Sequence, residues 1–261
     1  MAKPFDVIVV GIGSMGASAC WHLAKRGLRV LGLEQGPIPN PEASYAGVTR
    51  AIRLSYTEHP DYVPLLQGAY EKWEILEEEC GEELLRLTGA LYMGPEGGGL
   101  VSGASRSAKE HDLSHSLYTH NELHQNWPQF KLPDSFVGLY EERAGYLLSE
   151  RAVEAFVKEA RRHGADIRGG QMVTSWTSGD TGVKVCAGGE EYFAEHLVMA
   201  AGAWVGKLLG NLDISLRVTR QVLGWVAPAS AEHFTADRFP VWVLDGNDGE
   251  GVYYGFPLTP D

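Results

Sequence analysis

The chain has 261 residues, enough for a sizeable core and one or two domains. Its 22 basic and 34 acidic residues leave a net charge of −12, which repels nucleic-acid phosphates and anionic membranes and argues against both as partners. The three scattered cysteines, Cys20, Cys80 and Cys186, suggest no disulfide framework or C-x-x-C metal site, and no apolar run nears the roughly 20 residues that cross a bilayer, so a cytoplasmic protein is expected.

Phe5-Asp-Val-Ile-Val-Val10 is a continuous apolar run, the pattern of a buried parallel strand. Ser14 to Arg26 predicts a helix ended by Gly27, and Leu28 to Glu34 a second strand, completing a βαβ unit. Gly36 to Val48 is Pro- and Gly-rich and predicts a loop. Tyr62 to Glu79 predicts a helix with Leu65, Leu66, Ala69, Trp73 and Leu76 on its apolar stripe. Leu84 to Met93, broken at Gly89, predicts strands, and Gly97 to Gly103 a glycine-rich connection. Thr119 and Glu122 have capping-box spacing for a short helix that Pro128 stops. Val137 to Tyr140 and Tyr146 to Leu148 predict strand pieces, and Ser149 a cap for a helix from Glu150 to His163. Strand-like runs then dominate: Asp166 to Trp176, Gly182 to Cys186, Tyr192 to Ala200, Arg217 to Val226, Phe239 to Leu244 and Val252 to Phe256. A βαβ start and a β-rich middle predict an α/β nucleotide domain, α+β overall, with an antiparallel sheet inserted in it.

Gly11-Ile-Gly-Ser-Met-Gly16 is G-x-G-x-x-G, directly after a strand and opening a helix. In that setting Gly11 permits the tight turn, Gly13 lets the backbone approach a pyrophosphate, and Gly16 lets helix and strand pack closely. The helix start, at Ser14 and Met15, offers free N–H groups and partial positive charge to phosphates. Glu34 ends the second strand, where an acid accepts a hydrogen bond from a ribose hydroxyl. That acid disfavours NADP but does not separate FAD from NAD. The competing reading is a glycine turn without a ligand.

Arg50 and Arg53 are three apart, which would put both on one side of a helical turn. Two buried guanidiniums need an anion, and a substrate carboxylate suits them; a surface pair bound to acids such as Glu58 or Asp61 is the alternative. Strand alternation separates the face of Tyr254 from that of Tyr253, and tyrosines in strands often only pack. His111/His115 and His120/His124 have H-x-x-x-H spacing, but no H-E-x-x-H pattern accompanies them, and no metal site is expected.

Taken together, the opening motif, Ser44-Tyr-Ala-Gly-Val-Thr-Arg-Ala-Ile-Arg53, Ala200-Ala-Gly-Ala-Trp204, Arg220-Gln221 and Tyr253-Tyr-Gly-Phe-Pro257 resemble the D-amino-acid oxidase superfamily of flavoenzymes. Within it the chain is similar to the monomeric sarcosine oxidase and N-methyltryptophan oxidase family. The resemblance implies a Rossmann-like FAD-binding domain (1–80 and 146–215) with an inserted, mostly antiparallel substrate domain (81–145 and 216–261). It implies FAD contacts from Gly11, Gly13, Ser14, Met15, Gly16 and Glu34, from Ser44, Thr49 and Arg50, and from Val173, Ala201, Gly202 and Trp204. It implies that Arg53 holds a substrate carboxylate, that Arg50 lies against the flavin ring, and that Tyr254 faces the substrate. The activity implied is oxidation of a secondary amine, an N-methyl amino acid, with oxygen as acceptor, by an enzyme that is monomeric when complete.

The family's two histidines before the arginine segment are here Tyr45-Ala46, and its aspartate is Val48. Family members also continue beyond the Tyr-Tyr-Gly-Phe-Pro strand. Two lysines, a flavin-bound cysteine and a glycine-rich flavin segment are expected there, so the 261 residues alone are expected not to form a competent oxidase. The rival readings are an NAD-dependent dehydrogenase and a non-catalytic flavin-binding fragment.

Overall fold

The computed structural model describes residues 5–210, 215–246 and 251–259. They divide into two compact units, one of residues 1–48, 78–82 and 149–223, the other of residues 49–77, 83–148 and 224–261. The first break between these units falls after Val48, where the strand Thr49–Ile52 pairs within the second unit.

The first unit is built on a six-stranded sheet. Phe5–Val10 lies at its centre, parallel to Val30–Leu33 on one side and to Glu190–Met199 on the other. Asp166–Arg168 extends the parallel part beyond Val30–Leu33. Val173–Gly179, Gly182–Ala187 and Glu190–Met199 form an antiparallel meander. The run expected from Asp166 to Trp176 is thus two strands, broken at Gly169-Gly170 where the chain leaves the parallel edge.

The helix Ser14–Lys25 covers the sheet with Ala17, Cys20, Trp21 and Ala24, the i, i+3, i+4, i+7 spacing of a single apolar face. Trp21 meets Phe156 of the helix Ser149–Arg162 at 5.5 Å between ring centroids, and its indole N–H donates to Glu79 Oε2 at 2.9 Å. Ser149 does not cap its helix as expected; the helix starts at Ser149 itself. Its hydroxyl reaches back to the carbonyls of Tyr45 and Gly47, at 2.9 and 2.7 Å, and Glu150 Oε1 accepts the Gly47 N–H at 2.7 Å. The Pro- and Gly-rich loop is therefore pinned by the start of a distant helix.

The second unit carries a five-stranded sheet in the order Val252–Gly255, Val241–Asp245, Ala90–Pro95, Phe136–Glu141, His115–Tyr118. Every pairing is antiparallel except Val241–Asp245 with Ala90–Pro95. A small antiparallel sheet joins Thr49–Ile52, Gly145–Leu148 and Leu85–Leu87. The expected capping box is present, with Thr119 and Glu122 each bonded to the other's backbone N–H.

Three expectations change here. The helix Tyr62–Cys80 buries Val63, Tyr70 and Leu76 and leaves Leu65 exposed, so its stripe is rotated from the one expected. The glycines at 97–103 do not form a connection throughout, because a helix, Gly99–Glu110, starts among them. Gly103 lies inside it where a Cβ would stand 2.3 Å from the Thr57 carbonyl oxygen, so glycine there serves helix packing rather than a turn. Arg217 to Val226 is β-branched and apolar but joins no sheet among the described residues, and Val222 and Val226 are exposed. Composition marks strand potential, and only a neighbouring strand realises it.

Ser149→Ala removes two hydrogen-bonding options in a buried setting. The substitution is expected to cost about 1–2 kcal/mol in denaturant unfolding and to loosen the loop around Tyr45. Unchanged stability would show that the hydroxyl does not hold the loop.

Candidate functional site

In the first unit, the carboxyl ends of three parallel strands converge. The Gly11 N–H donates to Leu33 O at 2.8 Å, and the Ala200 N–H to Val10 O at 2.8 Å, tying together the turns that leave the sheet. Open parallel sheets bind ligands at such a place. A cleft opens there, lined by Gly11, Gly13, Ser14 and Met15 on one side, Glu34, Gln35 and Asn40 on another, and Val173 and Ala201 to Trp204 on the third. Ser44 and Tyr45 close it from the loop.

The three glycines of the fingerprint serve different ends. Gly11 has φ +89°, and a Cβ there would lie 2.5 Å from the Ala200 carbonyl oxygen. A Cβ on Gly16 would lie 1.8 Å from the Gly11 carbonyl oxygen, so Gly16 packs behind the cleft rather than lining it. Gly13 differs: its φ is ordinary, and a Cβ would make only a normal 3.6 Å contact with the Tyr45 ring. The fold therefore demands glycine at 11 and 16 but not at 13. What a side chain at 13 would fill is the cleft itself, as close backbone approach by a phosphate requires.

The helix start is also free for a ligand. Its N-cap, Gly13, makes no side-chain cap, and no acid occupies the first turn. The orphan N–H groups and the positive end of the dipole are thus left for an anion. Met15 is 76% exposed at this rim, an apolar side chain left without cover.

Glu34 is buried at the cleft edge. Its Oε2 accepts the Ile12 N–H at 2.7 Å; its Oε1 accepts from Gly36 N at 3.2 Å and from the Asn40 amide at 3.1 Å. Each carboxylate oxygen has two acceptor sites, so Oε2 retains one for a ribose hydroxyl. The Asn40 N–H donates in turn to the Tyr45 hydroxyl at 2.6 Å. Burial pushes the Tyr45 phenol above its ordinary pKa, which keeps that hydroxyl neutral. Asn40, Tyr45, Gln171 and Met172 were not among the expected site residues. Nothing local in the sequence marks them; they reach the cleft because the loop folds back on Ser149 and because the Gln171 N–H donates to Glu34 O at 2.7 Å.

Gly11, Gly13, Ser14, Met15, Glu34, Ser44, Val173, Ala201, Gly202 and Trp204 thus line one cleft. Thr49 and Arg50 belong to the second unit, on the strand Thr49–Ile52. The expected helical turn there is a strand instead, paired with Gly145–Leu148, and Arg53 lies just past its end. Arg50 Nη1 donates to the Thr49 carbonyl at 2.7 Å. The Arg53 guanidinium stands 4.6 Å from the centre of the Tyr56 ring, and its Nε is buried without a hydrogen-bond partner. Tyr254, on the edge strand Val252–Gly255, is half exposed and meets Phe256 edge-on at 5.9 Å.

His111 ends the helix Gly99–Glu110 while His115 begins a strand, so that pair shares no helix face. His120 and His124 do share the helix His120–Asn126, and His120 Nε2 lies 3.5 Å from Asp134.

Comparison with known proteins adds the following. The family described as "FAD dependent oxidoreductase" matches residues 6–259. Monomeric sarcosine oxidase of Streptomyces avermitilis is 38% identical over 260 residues, 98% of this chain and 67% of that protein. N-methyl-L-tryptophan oxidase of Yersinia pestis is 33% identical over 257 residues, 98% of this chain and 68% of that protein. The chain thus spans about two thirds of the length of these curated relatives. Among solved structures, the open form of NikD, an amino acid oxidase of nikkomycin biosynthesis, superposes with a TM-score of 0.79 at 24% identity, over 99% of this chain and 67% of that one. That likeness is one of fold.

The glycine analysis separates two substitutions. Gly13→Ala is expected to leave thermal unfolding close to that of the unaltered protein and to weaken dinucleotide binding by about tenfold or more, since a methyl group occupies the phosphate approach. Gly16→Ala is expected to destabilise the fold itself, by about 3 kcal/mol or more, through its clash with backbone. Equal behaviour of the two variants in melting and in binding would contradict this division.

Proposed function

The chain belongs to the FAD-dependent oxidoreductase family, and from that premise we propose that it oxidises the C–N bond of an N-methyl amino acid, with oxygen as final acceptor. The net reaction takes the N-methyl amino acid, oxygen and water to the amino acid, formaldehyde and hydrogen peroxide. Support for the substrate class comes from one observation above all. Two relatives, each more than 30% identical over almost the whole chain, are named for substrates that differ in side chain and share the N-methyl amino acid group. Family membership also removes the NAD-dependent alternative.

The residues present fit FAD: Gly13 leaves room without structural need, the helix start at Ser14 and Met15 is uncapped, and Glu34 keeps a free acceptor. In this reading the N–H groups at Ser14 and Met15 hold the pyrophosphate and Glu34 holds the adenosine ribose. Ser44, Val173, Ala201, Gly202 and Trp204 line the remainder of the path. When bound, FAD supplies the two-electron acceptor that no side chain can provide.

Arg53 binds the substrate carboxylate. Its buried, unpartnered Nε is what a guanidinium awaiting an anion would show, and a bidentate pair would satisfy it. By holding the carboxylate, Arg53 orients the amine for reaction. Arg50 is assigned to bias the flavin ring electrostatically and Tyr254 to face the substrate; both assignments rest on the family resemblance. We also place the protein in the cytoplasm, as a monomer in its complete form. Its cysteines are free, as a reducing compartment keeps them.

Hydrogen peroxide release on adding sarcosine tests the reaction, measured with FAD-loaded residues 1–261 and, side by side, with a version extended to the length of the curated relatives; release with primary amino acids only would overturn the substrate class. In the extended version, Arg53→Ala is expected to raise KM for sarcosine by the loss of roughly 1.5–3 kcal/mol of charge-assisted bonding. Arg53→Lys should recover only part of it, since the fork geometry is lost. Equal KM for Arg53→Ala and the unaltered protein would remove Arg53 from the substrate site.

A further inference from the structure

We propose that Glu141 is the positioning residue of Arg53: its buried carboxylate clamps the backbone directly after Arg53 and so fixes where the guanidinium stands. This rests on the reading that Arg53 holds the substrate carboxylate. Glu141 ends the strand Phe136–Glu141 and is 1% exposed. Its Oε1 accepts the Leu54 N–H at 2.7 Å and its Oε2 the Ser55 N–H at 2.9 Å. The Tyr92 hydroxyl also donates to Oε2, at 3.1 Å.

Leu54 and Ser55 are themselves buried, so their N–H groups have no water to turn to. Two adjacent N–H groups need two acceptors side by side. A carboxylate offers two oxygens and no donor, whereas glutamine would turn an amide N–H against one of the two. The acid therefore suits the clamp and not merely the space.

The same cluster surrounds the Arg53 charge. Burial raises the Tyr70 and Tyr92 phenols, the Glu141 charge raises both further, and the Arg53 charge pulls both back. Glu141 and Arg53 thus act on the same two rings. Arg53 itself lies over Tyr56 with its Nε unpartnered, so the path of its backbone, set by the clamp, decides where the guanidinium can reach.

The established fold contacts of Glu141 would also be lost in any variant, so the test must distinguish a route through Arg53 from general damage. Acetate, a carboxylate without the oxidisable amine, is titrated calorimetrically into the FAD-loaded, C-terminally extended protein carrying Glu141→Gln, Arg53→Ala, or both, beside the same protein without these substitutions. Glu141→Gln is expected to raise the Kd about tenfold with flavin content unchanged. Glu141→Asp, which keeps the charge on a shorter arm, should recover part of the loss. In the Arg53→Ala background, Glu141→Gln should add almost nothing, because its effect passes through a group already removed. Unchanged binding by Glu141→Gln, or an effect that simply adds to that of Arg53→Ala, overturns the proposal. Arg53→Ala that binds acetate as the protein without it does overturns the carboxylate reading, and the role of Glu141 with it. If Glu141→Gln does not fold, Tyr92→Phe removes one bond to the same carboxylate; it should raise the Kd about threefold, again only when Arg53 is present.

Discussion

The site depends on a place where the chain has no room for side chains. The first turn of the helix Ser14–Lys25 starts so close to the end of the strand Phe5–Val10 that a Cβ at residue 16 would overlap the Gly11 carbonyl. A Cβ at residue 11 would likewise strike the backbone of Ala200. Glycine at both positions lets strand, turn and helix meet, and that meeting aims the helix start into the cleft at the strand ends. The neighbouring strands are fixed in register with the central one, so Glu34 and Ala201 arrive at the same cleft from either side.

Around this frame the polar groups form a chain of dependence. Glu34 is tied to the glycine turn through the Ile12 N–H and to the loop through Asn40, and Asn40 is tied to Tyr45. Ser149 and Glu150 then hold that loop from the start of another helix. A buried acid is tolerated because its oxygens are occupied by N–H donors, which also sets the orientation in which it would meet a ribose. Tyr45 contributes its ring beside Gly13 and its hydroxyl to Asn40.

What could be read from the sequence was what is encoded locally. The βαβ unit, its three glycines and its terminal acid lie within about thirty residues and follow from periodicity and spacing. The capping box at Thr119 and Glu122 was legible for the same reason. What depends on distant partners was not. Thr49–Ile52 is a strand because Gly145–Leu148 pairs with it, and nothing near Arg50 announces that partner. The role of Ser149 was misread because its hydroxyl is engaged by the carbonyls of Tyr45 and Gly47, about a hundred residues away. Asn40 and Glu141 were missed because their importance lies in burial and in which N–H groups they meet, and a single sequence shows neither.

The central claim is that the first unit reads the adenosine and pyrophosphate half of FAD through Gly13, the uncapped helix start and Glu34. The most direct measurement is an equilibrium titration of FAD into the purified protein, followed by flavin fluorescence and repeated with ADP as competitor. Saturable binding that ADP displaces competitively, and that Glu34→Ala weakens for FAD and ADP alike, is the expected result. FAD binding that ADP leaves untouched would place the recognition elsewhere on the chain and contradict the account.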